Sequence, residues 1–107
     1  MRFALIEDQA EERKRIDDML SEFCRERMIS FTTDVFTSGE EFLAAFVPMN
    51  YDVVFMDIYM DGMTGIEAAK QMRTQDSHSF LVFLTTSPEH MGDAFSCLLY
   101  TSDAADE

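Results

Sequence analysis

The sequence predicts an α/β domain built on a parallel, doubly wound sheet with helices on both faces. Three observations point to it. Short apolar runs alternate with stretches of helical periodicity four times along the 107 residues. The runs from Phe3 to Ile6, from Val53 to Met56 and from Phe80 to Leu84 are apolar without alternation, as strands buried on both faces are. Polar groups stand directly after those runs: Glu7-Asp8, Asp57 and Thr85. Open α/β sheets build their sites at such strand ends.

The first strand ends at Glu7-Asp8. Ile16, Met19, Leu20, Phe23 and Cys24 then recur at helical spacing, with charged residues between them, so a helix is expected from about Gln9 to about Arg27. From Ile29 to Thr37 the chain alternates and is rich in Thr, Val and Phe. The polar Thr32 and Asp34 mark that strand as an edge. Ser38-Gly-Glu-Glu41 reads as a capping box opening a short helix through Phe42, Leu43 and Phe46, and Pro48 ends it. The third strand runs from Tyr51 to Met56. After a Gly-bearing loop, Thr64 to Glu67 offers a second capping box, and Ile66, Ala69 and Met72 give that helix its apolar side. Gln75 to Ser79 is a polar connector to the fourth strand. Ser87-Pro88 then starts a helix through Met91, Ala94 and Phe95. Right-handed crossovers follow from this order. No repeat, low-complexity tract or interdomain linker is visible.

Composition excludes several classes. The net charge is −13, which argues against direct nucleic-acid binding, since phosphate contacts need clustered Lys and Arg. No apolar run approaches membrane-spanning length, and carboxylates come too early for a signal peptide. Cys24 and Cys97 match no metal spacing. They read as reduced thiols of a cytoplasmic protein. His78 and His90 have no partners at motif spacing, and Met56, Met60 and Met63 read as core and loop filler.

In a parallel sheet the ends of the first, third and fourth strands share one edge, so Glu7, Asp8, Asp57 and Thr85 converge. Clustered carboxylates raise one another's pKa unless a cation neutralises them. A hard oxygen cluster of this kind suits Mg2+. A carboxylate can also attack phosphorus and form an aspartyl phosphate, while Thr85 and loop N–H groups bond phosphoryl oxygens. Each feature has a blander reading when taken alone. Glu7-Asp8 can serve a helix dipole, Asp57 can form a turn, and Thr85 can cap a strand or helix. Their joint order favours the chemical reading.

Glu7-Asp8 after a first strand, Met56-Asp57-Ile-Tyr-Met-Asp-Gly-Met-Thr-Gly65 after a third and Phe83-Leu-Thr85 after a fourth resemble the receiver domain of bacterial two-component response regulators. The resemblance spans Met1 to about Phe95. It implies a flavodoxin-like fold with strand order 2-1-3-4. It makes Asp57 the phosphoacceptor and Thr85 the switch hydroxyl. Glu7, Asp8, Asp57 and the backbone carbonyl of Tyr59 become the Mg2+ ligands. It further implies a sensor histidine kinase as donor and a C-terminal, transcription-regulating output domain in the parent protein. The wording from Asp61 to Glu67 and from Leu84 to His90 resembles receivers joined to LytTR-type DNA-binding domains. Alternative readings are a phosphate-independent interaction module, a haloacid-dehalogenase-like phosphohydrolase and an FMN-binding flavodoxin-like protein. The phosphohydrolase expects an acid where Tyr59 stands, and no phosphate-cradling loop for FMN follows the first strand.

The chain departs from the family in two places. Asp61 stands where Pro is common. The family's fifth strand carries a Lys, yet the two lysines here are Lys14 and Lys70, and Ala105 falls near the expected position. From Cys97 to Asp106 the sequence matches a translated transposon adapter, TGT CTC TTA TAC ACA TCT GAC GCT GCC GAC. Residues 97–107 are therefore expected to be a non-native tail on a receiver of residues 1–96 whose fifth strand and fifth helix are missing. That leaves the run from Phe80 to Leu84 as an exposed apolar edge.

Overall fold

The computed structural model describes residues 1–84 in full and the backbone of Thr85 and of 97–101. The elements are β1 (Arg2–Ile6), α1 (Ala10–Glu26), β2 (Thr32–Phe36), α2 (Gly39–Ala45), β3 (Val53–Asp57), α3 (Gly65–Arg73), β4 (Phe80–Thr85) and β5 (Cys97–Thr101). One sheet holds the strands in the order β2-β1-β3-β4-β5. The first four are parallel, which is the flavodoxin-like arrangement the sequence predicts.

The alternation of side chains along each strand splits the core in two. Ala4, Ile6, Val54, Met56 and Leu81 join Phe42 and Phe46 of α2 and its C-cap and Ala68, Ala69 and Met72 of α3 in one large cluster. Leu5 and Leu84 point the other way and meet Ile16 of α1, with Leu20 and Phe55 at the margin. Phe42 lies at the centre of an aromatic group, with ring centroids 5.3–6.3 Å from Phe36, Phe46 and Tyr51. β2 is an edge, as its Thr32 and Asp34 suggest, and Val35 on it is 45% exposed.

Several expectations are adjusted. Met19 and Phe23 belong to the apolar stripe of α1 but are 47% and 49% exposed, and Ile66 of α3 is 38% exposed. Each stripe is wider than the strip of sheet beneath it. Phe23 instead carries the Arg27 guanidinium 3.8 Å above its ring, a cation–π contact. Ser38 caps α2 by accepting from the Glu41 N–H at 3.0 Å, but the return half of the box is displaced. Glu41 accepts from the Thr37 N–H at 2.7 Å instead. The Thr64–Glu67 box closes in both directions. The helix expected through Met91, Ala94 and Phe95 lies outside the described residues.

The parallel fifth strand of the family is missing among the described residues, as expected, and a different segment takes its place beside β4. β5 pairs with β4, from Leu81↔Thr101 to Thr85↔Cys97, and it runs antiparallel. An open edge presents unpaired backbone N–H and C=O groups, and any extended segment can satisfy them. Among the described residues no parallel fifth strand and no helix after α3 is present.

Candidate phosphoacceptor and cation site

β1 and β3 pair in register from Phe3↔Val53 to Ile6↔Met56, so Glu7 and Asp57 leave adjacent strands side by side. The chain is fixed around both. The Glu7 N–H donates to the Phe36 carbonyl at 3.1 Å, and Arg13 of α1 donates to the Glu7 carbonyl at 2.9 Å. The Ile58 N–H donates to the Leu84 carbonyl at 3.0 Å, and the Gly65 N–H closes the loop on the Ile58 carbonyl at 3.0 Å. A Cβ on Gly65 would lie 2.1 Å from the Asp57 carbonyl oxygen. Only glycine lets α3 start this close to β3.

Glu7, Asp8 and Asp57 each offer a carboxylate oxygen, and the three atoms all lie within 4.8 Å of one another. Glu7 and Asp57 are buried, at 0% and 1% exposure. One Glu7 oxygen accepts from the Gln9 N–H at 3.1 Å, one Asp57 oxygen from the Tyr59 N–H at 3.2 Å, and one Asp8 oxygen from the Asp61 N–H at 3.2 Å. The remaining oxygens, Glu7 Oε1, Asp8 Oδ1 and Asp57 Oδ2, are buried without a hydrogen-bond partner. Buried polar atoms are ordinarily satisfied. Three carboxylates this close, each with a buried oxygen that lacks a partner, could hold a hard cation such as Mg2+, which takes oxygen ligands.

Electrostatics agree with that reading. Burial pushes the Glu7 carboxyl up to about 8, and the charge of Asp57 adds to it. Burial pushes Asp57 up to about 6, opposed by the Tyr59 N–H and by Glu7, while Asp8 and Glu12 push it further up. Without a cation the pair holds protons to higher pH than free carboxylates do. A divalent ion would let both ionise.

The structure thus brings together Glu7, Asp8 and Asp57. Tyr59 sits in the loop beside them and is 63% exposed. Thr85 ends β4 one residue beyond Leu84, the partner of Asp57, and its side chain lies outside the described residues. Lys14 and Lys70 lie on α1 and α3, not at a strand end. Sequence reasoning missed Glu40, whose carboxylate accepts from the Met63 N–H of the same loop at 3.2 Å. No spacing signal announces a contact between a helix's first turn and a distant loop.

Fold and site together define a response regulator receiver domain. That family matches residues 3–101, and the chain belongs to it. Among curated proteins, the sensory transduction protein LytT of Oceanobacillus iheyensis is 34% identical over 56 residues, covering 51% of this chain and 23% of its own length. The transcriptional regulatory protein LiaR of Bacillus subtilis is 36% identical over 77 residues, covering 65% of this chain and 36% of its own. The chain thus spans well under half of either relative. TrrA of Thermotoga maritima, a response regulator solved in complex with Mg2+-BeF, superposes with a TM-score of 0.60 at 29% identity, covering 86% of this chain and 75% of that one. The BeF3-activated DrrB receiver domain, 19% identical, shares the fold with a TM-score of 0.65 over 82% of this chain and 69% of that one. No helix among the described residues is long and apolar enough to cross a membrane.

Proposed function

We propose that this receiver domain is a phosphoacceptor, modified on Asp57 by a sensor histidine kinase with Mg2+, that switches a C-terminal, transcription-regulating output domain. The observation that carries this reading is the cluster of Glu7, Asp8 and Asp57, whose carboxylates approach one another within 4.8 Å and each keep a buried oxygen without a hydrogen-bond partner. Glu7, Asp8, Asp57 and the Tyr59 carbonyl are the proposed ligands of Mg2+. When bound, the ion screens the repulsion between an anionic nucleophile and an anionic donor. An Asp57 oxygen attacks the phosphorus of a phosphohistidine. The O–P bond forms, the P–N bond breaks, and the imidazole leaves with the electron pair and gains a proton. The Thr85 hydroxyl bonds the new phosphoryl group, and that local change biases a two-state surface read by the output domain. The Mg2+-BeF complex of TrrA supports the cation and the anion at a site of this family. The names LytT and LiaR support a regulatory output, LytTR-like in the first case. The chain acts as a signalling phosphoacceptor in the cytoplasm, without binding nucleic acid or membrane itself.

Intact-mass measurement after incubation with acetyl phosphate and Mg2+ tests this. Wild type gains one phosphoryl group and Asp57→Ala gains none. An unmodified wild type selects the second reading, a phosphate-independent interaction module, which the placement of both lysines on helices favours. Residues 97–107 we assign to a non-native tail, on the adapter match and the missing Lys. The antiparallel direction of β5 supports this. A read of the source locus by another library method that encodes the tail overturns it.

A further inference from the structure

We infer that Glu40 is a positioning residue for the Asp57 site, acting through the loop between β3 and α3; the inference rests on the phosphoacceptor reading above. In that loop the alternate N–H groups of Tyr59, Asp61 and Met63 each donate to a carboxylate. The acceptors are Asp57 Oδ1, Asp8 Oδ2 and Glu40 Oε2, each at 3.2 Å. The first two belong to the acidic cluster itself. The third comes from α2, 23 residues earlier in the chain, and contributes nothing to the cluster. Two of the three loop anchors are therefore groups that a cation engages, and Glu40 is the one that holds the loop independently of it.

The fit around Glu40 is specific. Gly62 has φ +78°, and a Cβ there would lie 3.0 Å from Glu40 Oε2. The carboxylate thus rests on a backbone that only a glycine presents comfortably. The root of Glu40 is also pinned. Gly39 beside it is buried, and a Cβ at Gly39 would lie 3.1 Å from the Ala68 Cβ of α3, so the start of α2 cannot slide along α3. An acidic residue in a helix's first turn ordinarily serves its own helix. Here Ser38 already caps α2, and the Glu40 carboxylate turns to the loop. Losing this anchor leaves the Met63 N–H to water and frees the segment that carries Tyr59 and Asp61. The cation must then order that segment on binding, and its apparent affinity falls.

The test uses the whole chain, Glu40→Ala and Glu40→Gln, with Mg2+ alone as the probe. Amide hydrogen exchange at Met63 reports the loop, and a Mg2+ titration followed by amide chemical shifts reports affinity. In Glu40→Ala, exchange at Met63 quickens about tenfold and the Mg2+ dissociation constant rises about three- to tenfold, the range expected for one charge-assisted bond at a solvated site. Glu40→Gln keeps an acceptor oxygen and stays near wild type in both. Wild-type exchange and affinity in Glu40→Ala overturn the inference. So does an equal loss of affinity in both variants, which assigns the effect to charge alone. Neither readout involves phosphoryl transfer. A wild type that takes no phosphoryl group from acetyl phosphate, while this pattern holds, refutes the phosphoacceptor reading and leaves the loop anchor standing.

Discussion

Glu7 decides how the site behaves when no cation is present. Burial chiefly pushes its carboxyl up to about 8 and that of Asp57 up to about 6, both above the ordinary carboxylate range. A group whose folded pKa is raised stabilises the fold fully below its unfolded pKa and loses that contribution as pH rises through the folded value. Metal-free protein is therefore expected to lose stability steadily from about pH 4 to about pH 8. Mg2+ flattens the profile, because it binds the ionised forms. Glu7→Gln, which keeps the shape and removes the charge, shrinks the loss and confines it to the lower part of that range, where Asp57 ionises. Denaturant midpoints measured across that range in chelator and in Mg2+ check this, and a flat wild-type profile in chelator refutes it. The acids of the cluster were legible in the sequence because each stands directly after an apolar run, and strand ends in a parallel sheet meet at one edge. Glu40 was not legible, because its role is a single tertiary hydrogen bond to a loop that local pattern cannot place. The exposure of Met19 and Phe23 was hidden for a related reason. Helical periodicity gives the direction of an apolar stripe and says nothing of how wide a surface it meets.

At the scale of elements, the start of α3 shows two local effects opposing each other. Gly65 opens the helix, and Gly→Ala within a helix ordinarily stabilises by about 0.5–1 kcal/mol. A Cβ here would lie 2.1 Å from the Asp57 carbonyl oxygen and 2.9 Å from its carbonyl carbon. Both are backbone atoms of β3 and cannot swing aside. Overpacking of this kind typically costs about 1–3 kcal/mol, so the clash outweighs the propensity gain. Gly65→Ala is expected to be net destabilising by about 1–2 kcal/mol. It should also weaken Mg2+ binding, because the displaced atoms belong to Asp57. Equilibrium denaturation together with a Mg2+ titration measures both, and a stabilised variant with intact affinity contradicts the prediction. The elements themselves were largely legible. The Thr64 box closes as written, since Thr64 and Glu67 need only local geometry. The Ser38 box closes by half, since Thr37 offers Glu41 a shorter bond from outside the helix.

On the scale of the whole molecule, the sheet ends differently on its two sides. β2 is a short edge bearing Thr32 and Asp34, a pattern that resists pairing with other chains. β4 is the opposite, an apolar strand from Phe80 to Thr85 whose outer edge is paired, among the described residues, with the antiparallel β5. The sequence predicted that edge to be bare, because no native fifth strand was visible in it. Backbone pairing depends little on side-chain identity, which is why the segment from Cys97 to Thr101 can pair with an open edge although no fifth strand was legible in the sequence. Phe80 remains 54% exposed even so, since the larger of the two core clusters lies on the other face. Removing residues 97–107 is therefore expected to expose the β4 ladder and cause concentration-dependent self-association, seen as larger species in sedimentation velocity and as a lower, less cooperative thermal transition. High salt should strengthen that association, because the net charge of −13 repels copies from one another and salt screens it. A shortened chain that stays monomeric at high salt and melts as sharply as the full one would show that β5 protects no edge, and that the sheet is already complete at β4.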